Sequence, residues 1–190
     1  PTGRLAAGAL AVIVSELCVG APLRAAINSG VAELSEWEGS EETLAAIEKA
    51  VRLAGEARDS GTIPGPEEVE DTLGGGWVAE EALAVGLFCA LVAEDAVRAG
   101  ATPAEGYRKG ALVAVNHSGD TDSTGAICGN LLGARFGEEC LPAEWLADLE
   151  ARELIETVAD DLALQFGSLW DEDAPTPEEF GPDLDRYPAW

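Results

Sequence analysis

The chain has 190 residues, of which 47% are hydrophobic, enough for one well-buried core within a single domain. Its 36 acidic residues against 11 basic ones give a formal net charge of −25, which argues against a nucleic-acid backbone or an anionic membrane as partner. Lys49 and Lys109 are the only lysines, and this acidic excess with little lysine is typical of a protein kept soluble in concentrated salt, with an acidic mesophilic protein as the alternative.

The first third of the chain has helical spacing of its apolar residues. Residues 3–18 are apolar or small on nearly every face, and the segment is too short for a membrane span, which predicts a buried, central helix. A second helix is expected from Pro22 to about residue 36. A third is expected over 41–56, with Ser40 as its cap.

An irregular stretch follows, because Gly, Pro and acidic residues accumulate over 58–76, with one short helix predicted over 66–73. Trp77 comes after three consecutive glycines and opens a long apolar helix over 78–99. A Trp beside a helix N-terminus can receive a nucleotide or a diphosphate. The alternative is a Trp that packs into the core.

The last predicted helices lie around an acidic loop and before an acidic C-terminus. Thr102 is expected to cap the helix that leads into the loop, and residues 125–136 form the helix after it. Two further helices are predicted over 142–149 and 150–166. No segment alternates with period two, so the prediction is an all-α protein, with a helical domain over 1–169 and an acidic, Pro-rich tail over 170–190.

The cysteines show no C-x-x-C spacing. Cys18, Cys89 and Cys128 lie at apolar helical positions, and the pattern is typical of reduced core thiols. Together with the lack of a recognisable signal peptide, reduced thiols favour a cytoplasmic location.

The most site-like segment is the loop 116–124, which brings together carboxylates and hydroxyls at the start of a helix. Asp120, Asp122 and the Ser123 hydroxyl are hard oxygen ligands of the kind that Mg²⁺ or Ca²⁺ prefers. The alternative is that these side chains only cap the helix. His117 is the only histidine, and next to two carboxylates it is better suited to orienting the loop than to catalysis.

The helix after this loop carries a glycine at every fourth position, and these glycines share one face: Gly125, Gly129, Gly133 and Gly137. Each glycine weakens a helix by roughly 1 kcal/mol relative to alanine. The pattern therefore predicts that another helix packs closely against this face.

At these residues a family resemblance becomes clear. Residues 118–133 resemble the C-terminal metal-binding motif of the ADP-ribosylglycohydrolase family. Three further stretches are similar to that family in the expected order: 1–11, 75–84 and 141–146. The resemblance spans about residues 1–164.

The resemblance implies a compact orthogonal bundle of helices and a hydrolase that removes ADP-ribose from a modified protein or small molecule. Two Mg²⁺ ions would be expected, with Asp120, Asp122 and Ser123 as ligands and both aspartates in catalytic roles. Ser123 stands where many members have Thr, and both side chains offer one hydroxyl oxygen. The expected substrate-binding residues lie in two segments: Gly76, Trp77 and Val78, and Ser118 and Gly119.

Family members of this kind carry a further acidic motif in their first half, typically Thr-Asp-Asp-Thr, and this sequence contains none. The chain begins with Pro1 and has no Met, so it is expected to be the C-terminal part of such a protein. The alternatives are an inactive relative that binds ADP-ribose or has a structural role, and one half of a split enzyme. A carbohydrate or guanidinium-type substrate also stays open.

The charge predicts a dependence of stability on salt. If the acidic surface is an adaptation to concentrated salt, the melting temperature should climb between low and molar KCl, beyond the range in which simple screening saturates. Thermal unfolding followed by circular dichroism checks this. A melting temperature that does not change over that range would contradict it.

Overall fold

In the computed structural model, the described residues are 2–166, with side chains described as far as residue 163. Between residues 2 and 166 there are helices and no strand, so the predicted all-α class is confirmed. The chain forms two compact units, one from Pro1 to Pro142 and one from Ala143 to Trp190. The predicted tail over 170–190 lies outside the described residues, and its boundary stays a prediction.

The first unit contains seven α-helices among its described residues, followed by a 3-10 turn at Glu138–Cys140. The helices are α1 (Thr2–Cys18), α2 (Leu23–Ser35), α3 (Glu41–Ser60), α4 (Pro66–Leu73), α5 (Ala79–Arg98), α6 (Pro103–Ala114) and α7 (Thr121–Phe136). The second unit has α8 (Ala143–Ala147) and α9 (Arg152–Phe166) within the part that is described. Across residues 2–166, no helix combines the length and the apolar character that a membrane crossing needs.

Some predicted helix ends agree with the structure and others do not. Thr102 caps α6 as predicted: its hydroxyl accepts the backbone N–H of Glu105, and the Glu105 carboxylate accepts the backbone N–H of Thr102 at 2.8 Å. Ser40 precedes α3, but its side chain makes no capping hydrogen bond. Helix α7 begins at Thr121 rather than at residue 125, so Asp122 and Ser123 belong to its first turn.

The central helix is α5, not α1. Every residue of α5 from Ala82 to Glu94 is buried, and α1, α3, α6 and α7 all pack against this helix. Helix α1 buries Leu5, Ile13 and Leu17 but leaves another face in solvent. The prediction of a buried, central helix over 3–18 was therefore wrong, because an apolar composition on every face does not ensure a neighbour for each of them.

The same exposed face corrects one of the cysteine assignments. Cys18 is exposed, whereas Cys89, Cys128 and Cys140 are buried. Burial raises the pKa of the Cys128 thiol to about 12 and also raises the pKa of Cys89, so both stay protonated at neutral pH. The prediction of core thiols holds for Cys89 and Cys128 and fails for Cys18.

Close helix contacts depend mainly on glycines outside the predicted stripe. A Cβ on Gly86 of α5 would overlap the Ile127 side chain of α7, and one on Gly110 of α6 would lie 2.8 Å from the Cys89 carbonyl oxygen. Within the stripe, Gly125 faces the Val115 side chain and Gly129 faces the Tyr107 hydroxyl, whereas Gly133 and Gly137 have open space. The predicted close approach thus holds for the first half of the stripe only.

A buried carboxylate, that of Glu94, joins three helices near the C-terminal end of α5. Glu94 is only 3% exposed, and its Oε1 accepts the Leu23 backbone N–H at 3.0 Å and the Arg135 Nε–H at 2.8 Å. Its Oε2 lies 3.3 Å from the Arg98 guanidinium. These bonds hold the start of α2 and the end of α7 at one end of α5.

Truncation of this carboxylate should destabilise the fold strongly. Glu94→Ala leaves the Leu23 N–H and Arg135 without their partner, and we expect a loss of about 3 kcal/mol in the free energy of unfolding, because groups that lose a buried partner stay desolvated. Glu56→Ala is the control, since Glu56 is exposed and its ion pair with Arg52 lies on the surface. It should change the free energy by less than about 0.5 kcal/mol. Urea unfolding measures both, and equal effects would contradict this role of Glu94.

Candidate active site

The acidic loop between α6 and α7 is held against the glycine turn that precedes α5. The backbone N–H of Asp120 donates to the carbonyl oxygen of Gly75 at 2.7 Å. This hydrogen bond joins two segments that are 45 positions apart in the chain. It brings the predicted metal ligands next to the predicted substrate-binding segment.

The contact between the two segments is possible only without side chains. A Cβ on Gly119 would overlap the carbonyl group of Gly75, which is backbone and cannot move aside easily. Gly76 has φ +79°, a left-handed conformation that L-residues rarely adopt, and a Cβ there would lie 2.9 Å from the Thr124 methyl group. Gly76 and Gly119 are therefore required for the local backbone geometry.

A chain of hydrogen bonds braces the loop from inside. The Gly119 backbone N–H donates to His117 Nδ1 at 3.1 Å, so the ring proton lies on Nε2, which is 2.8 Å from the Thr124 hydroxyl. That hydroxyl in turn donates to the Ala114 carbonyl oxygen at 2.8 Å. His117 and Thr124 are both buried. Both ring nitrogens are in use, and this geometry agrees with the predicted orienting role of His117.

The Asp120 carboxylate is not used to cap α7. Asp120 occupies the N-cap position, but its side chain makes no capping hydrogen bond. The pKa of its carboxyl is lowered, first by a hydrogen bond with the Ser123 hydroxyl and next by the Asp122 side chain. Asp120 is therefore ionised at neutral pH. Asp122 is exposed, and Ser123 is half-buried beside it.

These donors fit part of a Mg²⁺ coordination sphere. The carboxylates of Asp120 and Asp122 and the hydroxyl of Ser123 match the oxygen ligands and the low protein-ligand count that Mg²⁺ accepts. Among the residues whose side chains are described, no group of three or more His, Cys, Asp or Glu side chains is placed to hold a metal ion.

Three of the predicted substrate-binding residues are exposed. Trp77 is 72% exposed, so the alternative of a core Trp is excluded, and its indole edge lies against the backbone of Gly75. Val78 and Ser118 are also exposed. The structure thus brings an exposed aromatic ring and the acidic loop to the same glycine turn.

Sequence reasoning missed two residues that shape this turn. Glu81 accepts the Gly76 backbone N–H at 3.2 Å, and its side chain fills the space beside Gly74, where φ is +92°. The Gly75 carbonyl oxygen was also missed, since a backbone acceptor leaves no residue-type signal. For Glu81 a signal existed, because an acidic residue in the first turn of a helix is well placed for free N–H groups nearby.

Comparison with known proteins places the chain in a family. The family model described as ADP-ribosylglycohydrolase matches residues 1–172. No curated protein and no solved structure matches the chain.

Alanine substitutions at two glycines of residues 118–133 should change the free energy of unfolding in opposite directions. Gly119→Ala forces the Gly75 contact apart, and we expect it to lower the free energy of unfolding by about 2 kcal/mol. Gly133→Ala meets open space on α7 and should raise it by up to about 1 kcal/mol through helix propensity. Urea unfolding of both variants tests this difference. A Gly119→Ala protein as stable as the parent would show that the two segments are not in tight contact.

Proposed function

Because the chain belongs to the ADP-ribosylglycohydrolase family of hydrolases, we propose that it forms the C-terminal part of a Mg²⁺-dependent enzyme that removes ADP-ribose from a modified acceptor. The bond broken would be the glycosidic bond at the anomeric carbon of the distal ribose. The observation that carries the proposal is the acidic loop seated on the glycine turn, with the ionised Asp120 carboxylate and the exposed Trp77 beside the contact.

In this proposal Asp120, Asp122 and Ser123 hold two Mg²⁺ ions together with ligands from outside the described residues. Ionised Asp120 favours the proposal, because a carboxylate must be deprotonated to bind a metal. Bound Mg²⁺ would supply positive charge that polarises the ribose hydroxyls and lowers the pKa of the attacking water. The protein's own task is to keep these oxygens at fixed positions.

The remaining residues of the site orient the substrate. Trp77 offers an exposed aromatic face for the nucleotide part, and Ser118 lies exposed on the acidic loop. Gly76 donates its N–H to Glu81, so its contribution is the space that a side chain would fill. His117 has no free ring nitrogen and acts as a brace for the loop.

Cleavage passes through an oxocarbenium-like transition state, in which the ribose ring carries positive charge. The negative carboxylates of Asp120 and Asp122 would stabilise that positive charge, in addition to binding the metal ions.

The incomplete ligand set favours one alternative function. A domain in which no third His, Cys, Asp or Glu among the described side chains joins Asp120 and Asp122 can bind ADP-ribose without hydrolysing it. An ADP-ribose-binding or structural relative, or one half of a split enzyme, would have this arrangement.

The enzyme proposal predicts the effect of removing a ligand. The test protein is this chain joined to the first half of a complete family member that carries its own acidic motif. In it, Asp120→Ala or Asp122→Ala should lower ADP-ribose release at least about a hundredfold, or roughly 2.7 kcal/mol, because a charged ligand is lost. Ser123→Ala should lower it less, since water can replace a neutral oxygen. The chain alone should bind Mg²⁺ weakly and show little or no turnover.

The assay follows free ADP-ribose released from a modified protein, with and without a chelator. Asp160→Ala, at an exposed position of α9, is the control and should leave release unchanged. Full release by the Asp122→Ala protein, or full activity in excess chelator, would contradict the proposed metal site. Binding of ADP-ribose without any release would favour the alternative function.

A further inference from the structure

Helix α5 carries two buried glutamates, and only one of them has a partner. Glu94 is 3% exposed and Glu80 is 9% exposed. The Glu94 carboxylate accepts hydrogen bonds from Leu23 and Arg135, as described above. Glu80, in the first turn of α5, makes no hydrogen bond or ion pair with any residue that the structure describes. A carboxylate held out of water without a partner lowers the stability of a fold.

The two glutamates lie on the same face of α5. The distance along the chain from Glu80 to Glu94 corresponds to about 3.9 turns of an α-helix and a rise of about 21 Å. Three buried leucines lie between them on this face: Leu83, Leu87 and Leu91. Glu94 reaches Arg135 of α7 from this face. Glu80 is therefore on the side of α5 that packs against α7, at the end where α5 begins.

The register of α5 and α7 places Glu80 beside the acidic loop. The ion pair near the far end of the two helices spans 41 positions of the chain, and so does the contact between Gly86 and Ile127. Since the offset is the same at both points, it places Glu80 level with Thr121, the first residue of α7. Asp122 follows in the same turn. The buried carboxylate of Glu80 thus lies at the level of the proposed metal ligands.

This position suits a contact through water rather than direct coordination. Up to residue 163, where the described side chains end, no third carboxylate is placed to hold an ion together with Asp120 and Asp122. Mg²⁺ keeps several of its waters when it binds to a protein. Those waters are hydrogen-bond donors, and a carboxylate close by is the acceptor that fixes them. Ionised Asp120 cannot donate to Glu80, because it only accepts hydrogen bonds.

We propose that Glu80 accepts hydrogen bonds from the waters of a Mg²⁺ ion held by Asp120 and Asp122, and that it fixes the position of this ion without touching it. The inference rests on the proposed function for the ion itself. Glu80 is then a positioning residue of the site. The alternative is that its charge only stabilises the positive N-terminal end of α5.

The test compares Glu80→Gln with Glu42→Gln in the chain as it stands. Glu42 is the matched control, because it also lies in the first turn of a long helix, α3, but is exposed. Crystals are soaked over a series of MnCl₂ concentrations, and the occupancy of the anomalous peak at Asp120 and Asp122 gives the dissociation constant of Mn²⁺. We expect Glu80→Gln to raise this constant at least about tenfold. Glu42→Gln should change it by less than about twofold, since its charge is screened by solvent.

Urea unfolding without metal separates this role from a purely structural one. We expect Glu80→Gln to unfold at the same urea concentration as the parent or at a higher one, because the substitution removes a buried charge without breaking a hydrogen bond or ion pair. A lower urea midpoint together with an unchanged Mn²⁺ affinity would overturn the proposal. It would show that Glu80 only stabilises the start of α5.

Crystals of the parent soaked in MnCl₂ give a measurement that needs no variant. A Glu80 carboxylate oxygen should lie within about 3.0 Å of a water bound to the ion. A carboxylate turned away from every such water would overturn the role of Glu80 and leave the metal site standing. A parent crystal with no peak at Asp120 and Asp122 would contradict the proposed metal site, and the role of Glu80 with it.

Discussion

The contact between the Gly75 carbonyl and the Gly119–Asp120 backbone is the constraint on which the site depends. It is a hydrogen bond of 2.7 Å between two segments without side chains at the point of contact. Because the contact joins two backbone groups, a change of rotamer cannot move it, and it fixes the backbone of Asp120, from which the carboxylate projects, relative to the glycine turn. A site for hard cations gains from this, since Mg²⁺ tolerates little deviation from octahedral geometry.

The same contact is one of two fixed points that align α7 on α5. The other is the buried Glu94 carboxylate, which binds Arg135 near the end of α7. Helix α5 rises by about 23 Å from Ala79 to Glu94, and α7 rises by about 21 Å from Thr121 to Arg135. The two fixed points are therefore about equally far apart along both helices. The two helices therefore run in the same direction, with both N-termini at the site. Between the two fixed points, α5 packs closely on α7 at Gly86.

The sequence was sufficient for those features that depend on residue type at short range. The helical spacing gave the all-α class, the Thr102–Glu105 pair gave a cap, and alternate carboxylates marked the loop at Asp120. The sequence was insufficient for features that depend on contacts between residues far apart in the chain. Whether Trp77 is buried or exposed depends on what the glycine turn packs against, and exposure of α1 depends on a neighbour that no local pattern specifies.

The central claim is that the oxygens of Asp120 and Asp122 form one side of a divalent-metal site. Crystals of the chain soaked in MnCl₂ and measured for anomalous scattering test this most directly, because Mn²⁺ takes the same oxygen ligands as Mg²⁺. The account predicts a peak within about 2.3 Å of both carboxylates, which should vanish in Asp122→Asn crystals. Peaks confined to other acidic side chains, or an unchanged peak in the variant, would contradict it.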